Sequence, residues 1–155
     1  MKAEDKKLIR LASKSLSLND IVLLASRFER PSSPPEDPEE ELLRQYKRGV
    51  GYSAVSGDEG SADRGSLNVT VGLGTRLVRQ TEKSKKASEV VAVLIEAEYL
   101  ITYGMTDDIP DKAIEVFAKY NAVHNVWPFW RHHVFDICQR ARLPDLKVPL
   151  IEPTQ

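Results

Sequence analysis

The run Val90–Tyr103, VVAVLIEAEYLITY, constrains the fold more than any other part of the chain. Its odd positions, Val91, Val93, Ile95, Ala97, Tyr99, Ile101 and Tyr103, are all apolar, and alternation at period two marks a strand that buries one face. Its even positions begin with Val90, Ala92 and Leu94 before reaching Glu96 and Glu98, so half of the second face is apolar too. At 14 residues the strand is more than twice the usual length of about five or six, and it needs long partners. Leu67–Val78 supplies one, alternating Leu67, Val69, Val71 and Leu73 against Asn68, Thr70, Gly72 and Gly74. Gly49–Ser56 (GVGYSAVS) reads as a short, glycine-flanked strand. Leu16–Phe28, rich in Leu, Ile and Val with partial alternation, favours a strand and leaves a helix open. Four strands with no crossover helix between them imply an antiparallel meander, and its apolar face needs a cover.

Two helical segments near the end of the chain can provide that cover. Asp108 and Asp111 can cap a helix in which Ala113, Val116, Phe117, Tyr120 and Val123 recur every three or four residues. A second stripe holds Trp127, Trp130, Val134, Ile137, Cys138 and Ala141, with Pro128 expected to kink or break the helix and Pro144 to stop it. Between the first two strands, PSSPPEDP is the strongest breaker in the chain. Asp37, followed by Pro38 and Glu40, then predicts a short helix through EDPEEELLRQYKR that presents Leu42, Leu43 and Tyr46. Residues 1–15, with Leu8, Leu11 and Ala12 at helical spacing, form a mobile arm or a short docking helix. Residues 16–150 form a single domain, and residues 151–155 a tail.

Composition narrows the function classes. Lys and Arg total 22 against 23 Asp and Glu, a formal charge of -1, which does not suit a nucleic-acid binder held by counterion release. A chain that is 41% hydrophobic and 29% charged lies in the globular range. The single cysteine, Cys138, excludes an internal disulfide and any multi-cysteine metal cage and suits a reducing compartment. With no signal-peptide core and no membrane-length apolar run, the expected location is the cytoplasm.

The chemistry-bearing residues are few. His124, His132, His133 and Asp136 are the only cluster with metal-ligand chemistry, and they support the alternative of a small metal protein or enzyme. On a helical wheel, however, His132 and Asp136 fall opposite the apolar stripe, so no metal site and no cofactor are expected. Cys138 lies on the stripe, as a buried small hydrophobe would. The glycines of GVGYSAVSG and Gly72/Gly74 lead into neither a helix nor a GKS/GKT triplet, so they make no phosphate loop. No catalytic residue set stands out, and an enzyme is not expected. The most unusual local feature is Trp127-Pro128-Phe129-Trp130, which holds both tryptophans. Phe135 lies about 100° around the helix from the stripe, and Phe28, Tyr46 and Tyr52 lie beside breakers. That is more apolar surface than one sheet with one helical layer can bury, which points to self-association or to binding of apolar peptide.

The strand run, Glu96-Ala97-Glu98-Tyr99 in the last strand, the block Asn125-Val126-Trp127-Pro128-Phe129-Trp130-Arg131 and the closing Leu143-Pro144-Asp145-Leu146-Lys147-Val148-Pro149-Leu150 together resemble the SecB protein-export chaperone family. The resemblance implies an α+β fold: a four-stranded antiparallel β-sheet with helices packed on one face, assembled as a dimer of dimers. It implies a holdase without catalysis or cofactor, whose partners are unfolded or partly folded proteins. Phe28, Leu42, Tyr46, Tyr52, Trp127, Phe129, Trp130 and Phe135 are then the candidates for client groove or oligomer interface. Glu96 and Glu98 are the candidates for docking on the SecA motor, although the near-zero net charge and the basic loop at Lys83, Lys85 and Lys86 are unlike an ordinary export member. SecB-like proteins attached to toxin–antitoxin systems hold an aggregation-prone antitoxin, and that dedicated role stands level with general export. The resemblance implies a C-terminal helix after the Val-Pro segment, for which few residues remain, so a groove wall and part of the client surface are expected to be missing or to be supplied by Leu42, Leu43 and Tyr46 instead.

Overall fold

A computed structural model describes residues 2–30, 42–57, 64–80, 89–143, 146, 148 and 149. Helix α1 (Ala3–Ser15) leads into strand β1 (Leu16–Glu29), followed by β2 (Leu42–Ser56), β3 (Gly65–Gln80) and β4 (Glu89–Met105). Helix α2 (Asp111–Phe117), a π-turn (Ala118–Ala122) and helix α3 (Val123–Ala141) complete the order. The strands form one antiparallel sheet in the order β1-β4-β3-β2. The expected meander therefore holds only for β2, β3 and β4. β1 lies on the far side of β4, because twelve residues separate it from β2, enough chain to cross two intervening strands spaced about 4.8 Å apart.

The predicted helix through Leu42, Leu43 and Tyr46 is strand instead. Its proposed cap at Asp37 lies outside the described residues, and from Leu42 onward every residue pairs with β3, Leu42 opposite Arg79 through Ser56 opposite Gly65. Helix propensity is a weak prior, and a 15-residue ladder on a long neighbour overrides it. Tyr46, Arg48, Val50 and Tyr52 consequently share the helix-covered face, while Leu43, Lys47, Gly49 and Gly51 share the open one.

The core lies between the odd face of β3 and β4 and the helices. Leu67, Val69, Val71, Ile95, Ile101 and Tyr103 are buried against Ala113, Phe117, Val126, Trp130 and Val134. β4 does not alternate strictly along its whole length. Leu77 pairs with Val93 and Val78 with Val91, so Ala92 is an extra, bulged residue. Beyond it the alternation inverts: Ala92 is buried and Val91 turns out to 40% exposure.

The helices also depart from expectation in detail. No side chain caps α2; Pro110 precedes it and Asp111 occupies its first turn. Pro128 lies inside an unbroken α3. It removes the N–H that His124 O would accept from, but both residues are exposed, so that carbonyl faces water rather than the core. The irregularity falls upstream, at the π-turn. Buried positions Ala118, Ala122, Val126, Trp130, Val134 and Cys138 recur every four residues, a spacing that drifts about 40° per step on a 3.6-residue helix, and the wide turn absorbs part of that drift. Leu146 and Val148, beyond α3, also pack onto the core. In α1, Ala12 is fully buried with Leu8 and Ile9 beside it, while Leu11, expected on that stripe, faces out.

Candidate functional site

Two clefts flank α3, one toward each edge of the sheet. The first, of about 410 Å³, lies between β2 and the helices and is lined by Tyr46, Arg48, Leu73, Tyr120, Val123, Trp127, Trp130 and Pro149. Leu73, Val123 and Trp130 are buried and form its floor. Tyr46, 55% exposed, stands on its rim. Trp127 is held across it by its indole N–H, which donates to Pro149 O at 2.8 Å. Tyr120 leaves the buried stripe at the π-turn and reaches the cleft, with Lys119 Nζ 5.5 Å from its ring centroid. Arg44 donates from Nη1 to the Tyr46 hydroxyl at 3.3 Å.

The second cleft, between β1 and α3, is lined at one end by Leu23, Ser26, Phe28, His133, Asp136, Ile137 and Arg140. At the other end it is lined by Tyr99, Pro128, Phe129 and His132. Ser26 Oγ and His133 Nε2 are 3.0 Å apart and tie the strand to the helix, and the His133 ring stacks on Trp130 at 6.1 Å between centroids. Burial pushes the His133 imidazole below its ordinary value; Asp136 opposes this by raising it, and His132 adds to the lowering. Burial also pushes the Tyr99 hydroxyl up to about 12, so at neutral pH it remains a neutral phenol. Asp136 accepts from Arg140 Nη1 at 3.3 Å.

The structure thus divides the candidate client-binding residues between the two clefts. Tyr46, Trp127 and Trp130 come together on the β2 side, with Trp130 as core floor rather than accessible wall. Phe28 and Phe129 belong to the β1 side. Phe135 is exposed and Leu42 packs against the core. Tyr52 lies on the helix-covered face of β2, opposite Val69, and is also exposed. Leu43, expected as groove wall, points to the open face of the sheet and cannot serve. Sequence reasoning missed Arg48, Tyr120, Pro149 and Leu23. The alternation of Tyr46, Arg48, Val50 and Tyr52 would have revealed Arg48 had residues 42–48 been read as strand. Among the described residues, no three His, Cys, Asp or Glu side chains group so as to hold a metal ion. His132 is exposed and His133 is engaged by Ser26 and Trp130.

The open face of the sheet carries Glu96 and Glu98. Glu96 is engaged within the chain: Lys47 Nζ lies 3.1 Å from its Oε1 and Arg27 Nη1 3.8 Å from its Oε2. Arg27 also donates to Glu29 at 2.6 Å. Glu98 stands beside Gly72 on one side and Ala25 on the other and is exposed. Gly74 admits no side chain cheaply, because an added Cβ would lie 3.3 Å from both Glu96 Cγ and Lys47 Cβ.

No protein-family model matches the chain, and no curated protein matches it in sequence. Among solved structures, it is similar to the Rv1957 SecB-like chaperone of Mycobacterium tuberculosis, in complex with a ChAD peptide from the Rv1956 HigA1 antitoxin. The TM-score is 0.72 at 15% identity, and the match covers 96% of this chain and 99% of that one. The fold is SecB-like. A protein of unknown function from Streptococcus agalactiae is also similar, with a TM-score of 0.49 and 9% identity over 86% of this chain and 96% of that one. Within the SecB-like fold, the aromatic-Pro-aromatic block lies on α3, between the two clefts. No described helix is long and apolar enough to cross a membrane.

Proposed function

We propose that this SecB-like chain is a holdase: it binds non-native or aggregation-prone polypeptide in the apolar clefts beside α3 and keeps it from aggregating, without catalysis. The observation that carries the reading is the aromatic cleft along β2. Tyr46, Tyr120 and Trp127 line it over a buried floor, an arrangement whose surplus apolar area suits bulky client side chains, each worth about 1.5–3 kcal/mol when buried, before ordering costs. The M. tuberculosis neighbour is described in complex with an antitoxin peptide, and a dedicated client of that kind is the finer form of the proposal.

The test is light scattering of a denatured model enzyme diluted into buffer with or without the chain, and without nucleotide. Suppression of scattering at near-stoichiometric ratio is expected. Tyr46→Ser should weaken suppression several-fold while leaving the melting temperature unchanged, because Tyr46 is a rim residue. Absence of suppression at a several-fold excess of chaperone would overturn the reading.

A further inference from the structure

The β2-side cleft is apolar at its floor and cationic at its rim. Tyr46 and Arg48 project from the same face of β2 two residues apart, opposite Thr75 and Leu73, and among the described residues β2 is an edge strand. Arg48 is exposed and makes no ion pair with a described residue. Lys47, its neighbour, is turned to the opposite face and occupied by Glu96. Arg44 lies against the Tyr46 hydroxyl and Lys119 beside Tyr120. No carboxylate lines the cleft among the described residues, whereas the β1-side cleft carries Asp136 against Arg140. Arg48 thus stands as an exposed cation in the lining of an aromatic slot, two residues along β2 from Tyr46.

We propose that the cleft selects client segments in which a bulky apolar residue and a carboxylate stand two positions apart, laid extended along β2 with the apolar side chain over Tyr46 and Trp127 and the carboxylate on Arg48. The spacing follows from strand geometry. In an extended chain, residues i and i+2 share a face about 6.6 Å apart, the same repeat that separates Tyr46 from Arg48. A guanidinium recognises a carboxylate bidentately, and at an exposed position such as that of Arg48 the pairing is sensitive to salt. A lysine in the client at that position would meet Arg48 as a like charge. This client preference rests on the holdase reading and adds a chemical class to it.

The experiment uses the full chain and fluorescent eleven-residue peptides, otherwise neutral, each carrying one central Trp. Their position i+2 from the Trp holds Glu, Gln or Lys, and a fourth peptide moves the Glu to i+1. Anisotropy titration at low salt should show the i+2 Glu peptide binding about tenfold tighter than the Lys peptide. The Gln and i+1 Glu peptides should fall between them, and the spread should narrow in 0.3 M salt. Arg48→Gln should erase the difference and Arg48→Glu reverse it, with both variants keeping the wild-type melting temperature, since Arg48 is exposed. Equal binding of all four peptides, or a preference for Lys, overturns the selectivity while leaving the holdase reading intact. If no peptide binds and aggregation is not suppressed, both fall together.

Discussion

At the scale of single residues, the molecule separates side chains that hold the core from those that can meet a partner, and the separation runs through the aromatic block itself. Trp130 is buried to 1% exposure while Phe129, its neighbour, is 49% exposed, a difference set by one step of about 100° around α3. His133 joins the two classes, being half-buried on Trp130 and bound to Ser26 of β1. Because its folded-state pKa lies below the ordinary 6.5, the unfolded chain binds the extra proton first as pH falls. Stability therefore declines as pH drops from 7 through the ordinary value toward the lowered one, and levels off below that. Urea midpoints measured from pH 7.5 to 5 should show this decline, and His133→Gln should flatten it. A wild-type and a variant profile that run parallel would show that another group carries the pH dependence. Asp136, which raises the His133 value, and His132, which lowers it, are the groups on α3 against which the difference is read.

At the scale of elements, α3 tolerates what the sequence marks as a break. Pro128 was expected to interrupt it, and the cost is confined to one solvent-facing carbonyl because the proline lies opposite the stripe of Val126, Trp130 and Val134. Pro128→Ala restores a hydrogen bond to His124 O at the expense of extra unfolded-chain entropy. Chemical denaturation should show a net gain of about 1–2 kcal/mol. A loss would mean that the fixed φ of the proline is itself needed to aim Trp127 and Phe129. β2 teaches the converse lesson. LLRQYKR has respectable helix propensity, and only the length of β3 beside it converts these residues to strand and delivers Tyr46 and Arg48 to the cleft. The bulge at Ala92 is equally invisible to strict alternation, since one extra residue inverts the faces beyond it.

At the scale of the whole molecule, β1 presents a long unpartnered edge among the described residues, with Leu18, Leu23, Leu24 and Phe28 exposed along it and Phe129 and Phe135 exposed on α3. An edge strand with this much apolar surface invites pairing with another chain. Light scattering on a sizing column should therefore give an assembly larger than the 17.4 kDa chain. Replacing Leu23 and Phe28 together by Lys should shift it toward monomer. Both side chains are already half-exposed, so their loss costs the fold little. A wild-type monomer at micromolar concentration would contradict the assembly.

The sequence by itself determined the number of strands, the buried odd face of β3 and of β4 from Val93 onward, and Trp130, Val134 and Cys138 of the α3 stripe, because period-two and helical patterns are local consequences of backbone geometry. Tertiary structure alone decided the strand order, the strand state of residues 42–48, the bulge that turns Val91 outward and the gathering of Tyr46, Arg48, Tyr120, Trp127 and Pro149 around one cleft. Those residues come from three separate stretches of chain. Their proximity depends on which strands pair and where the π-turn rotates the helix, and no local pattern encodes contacts made at such separation.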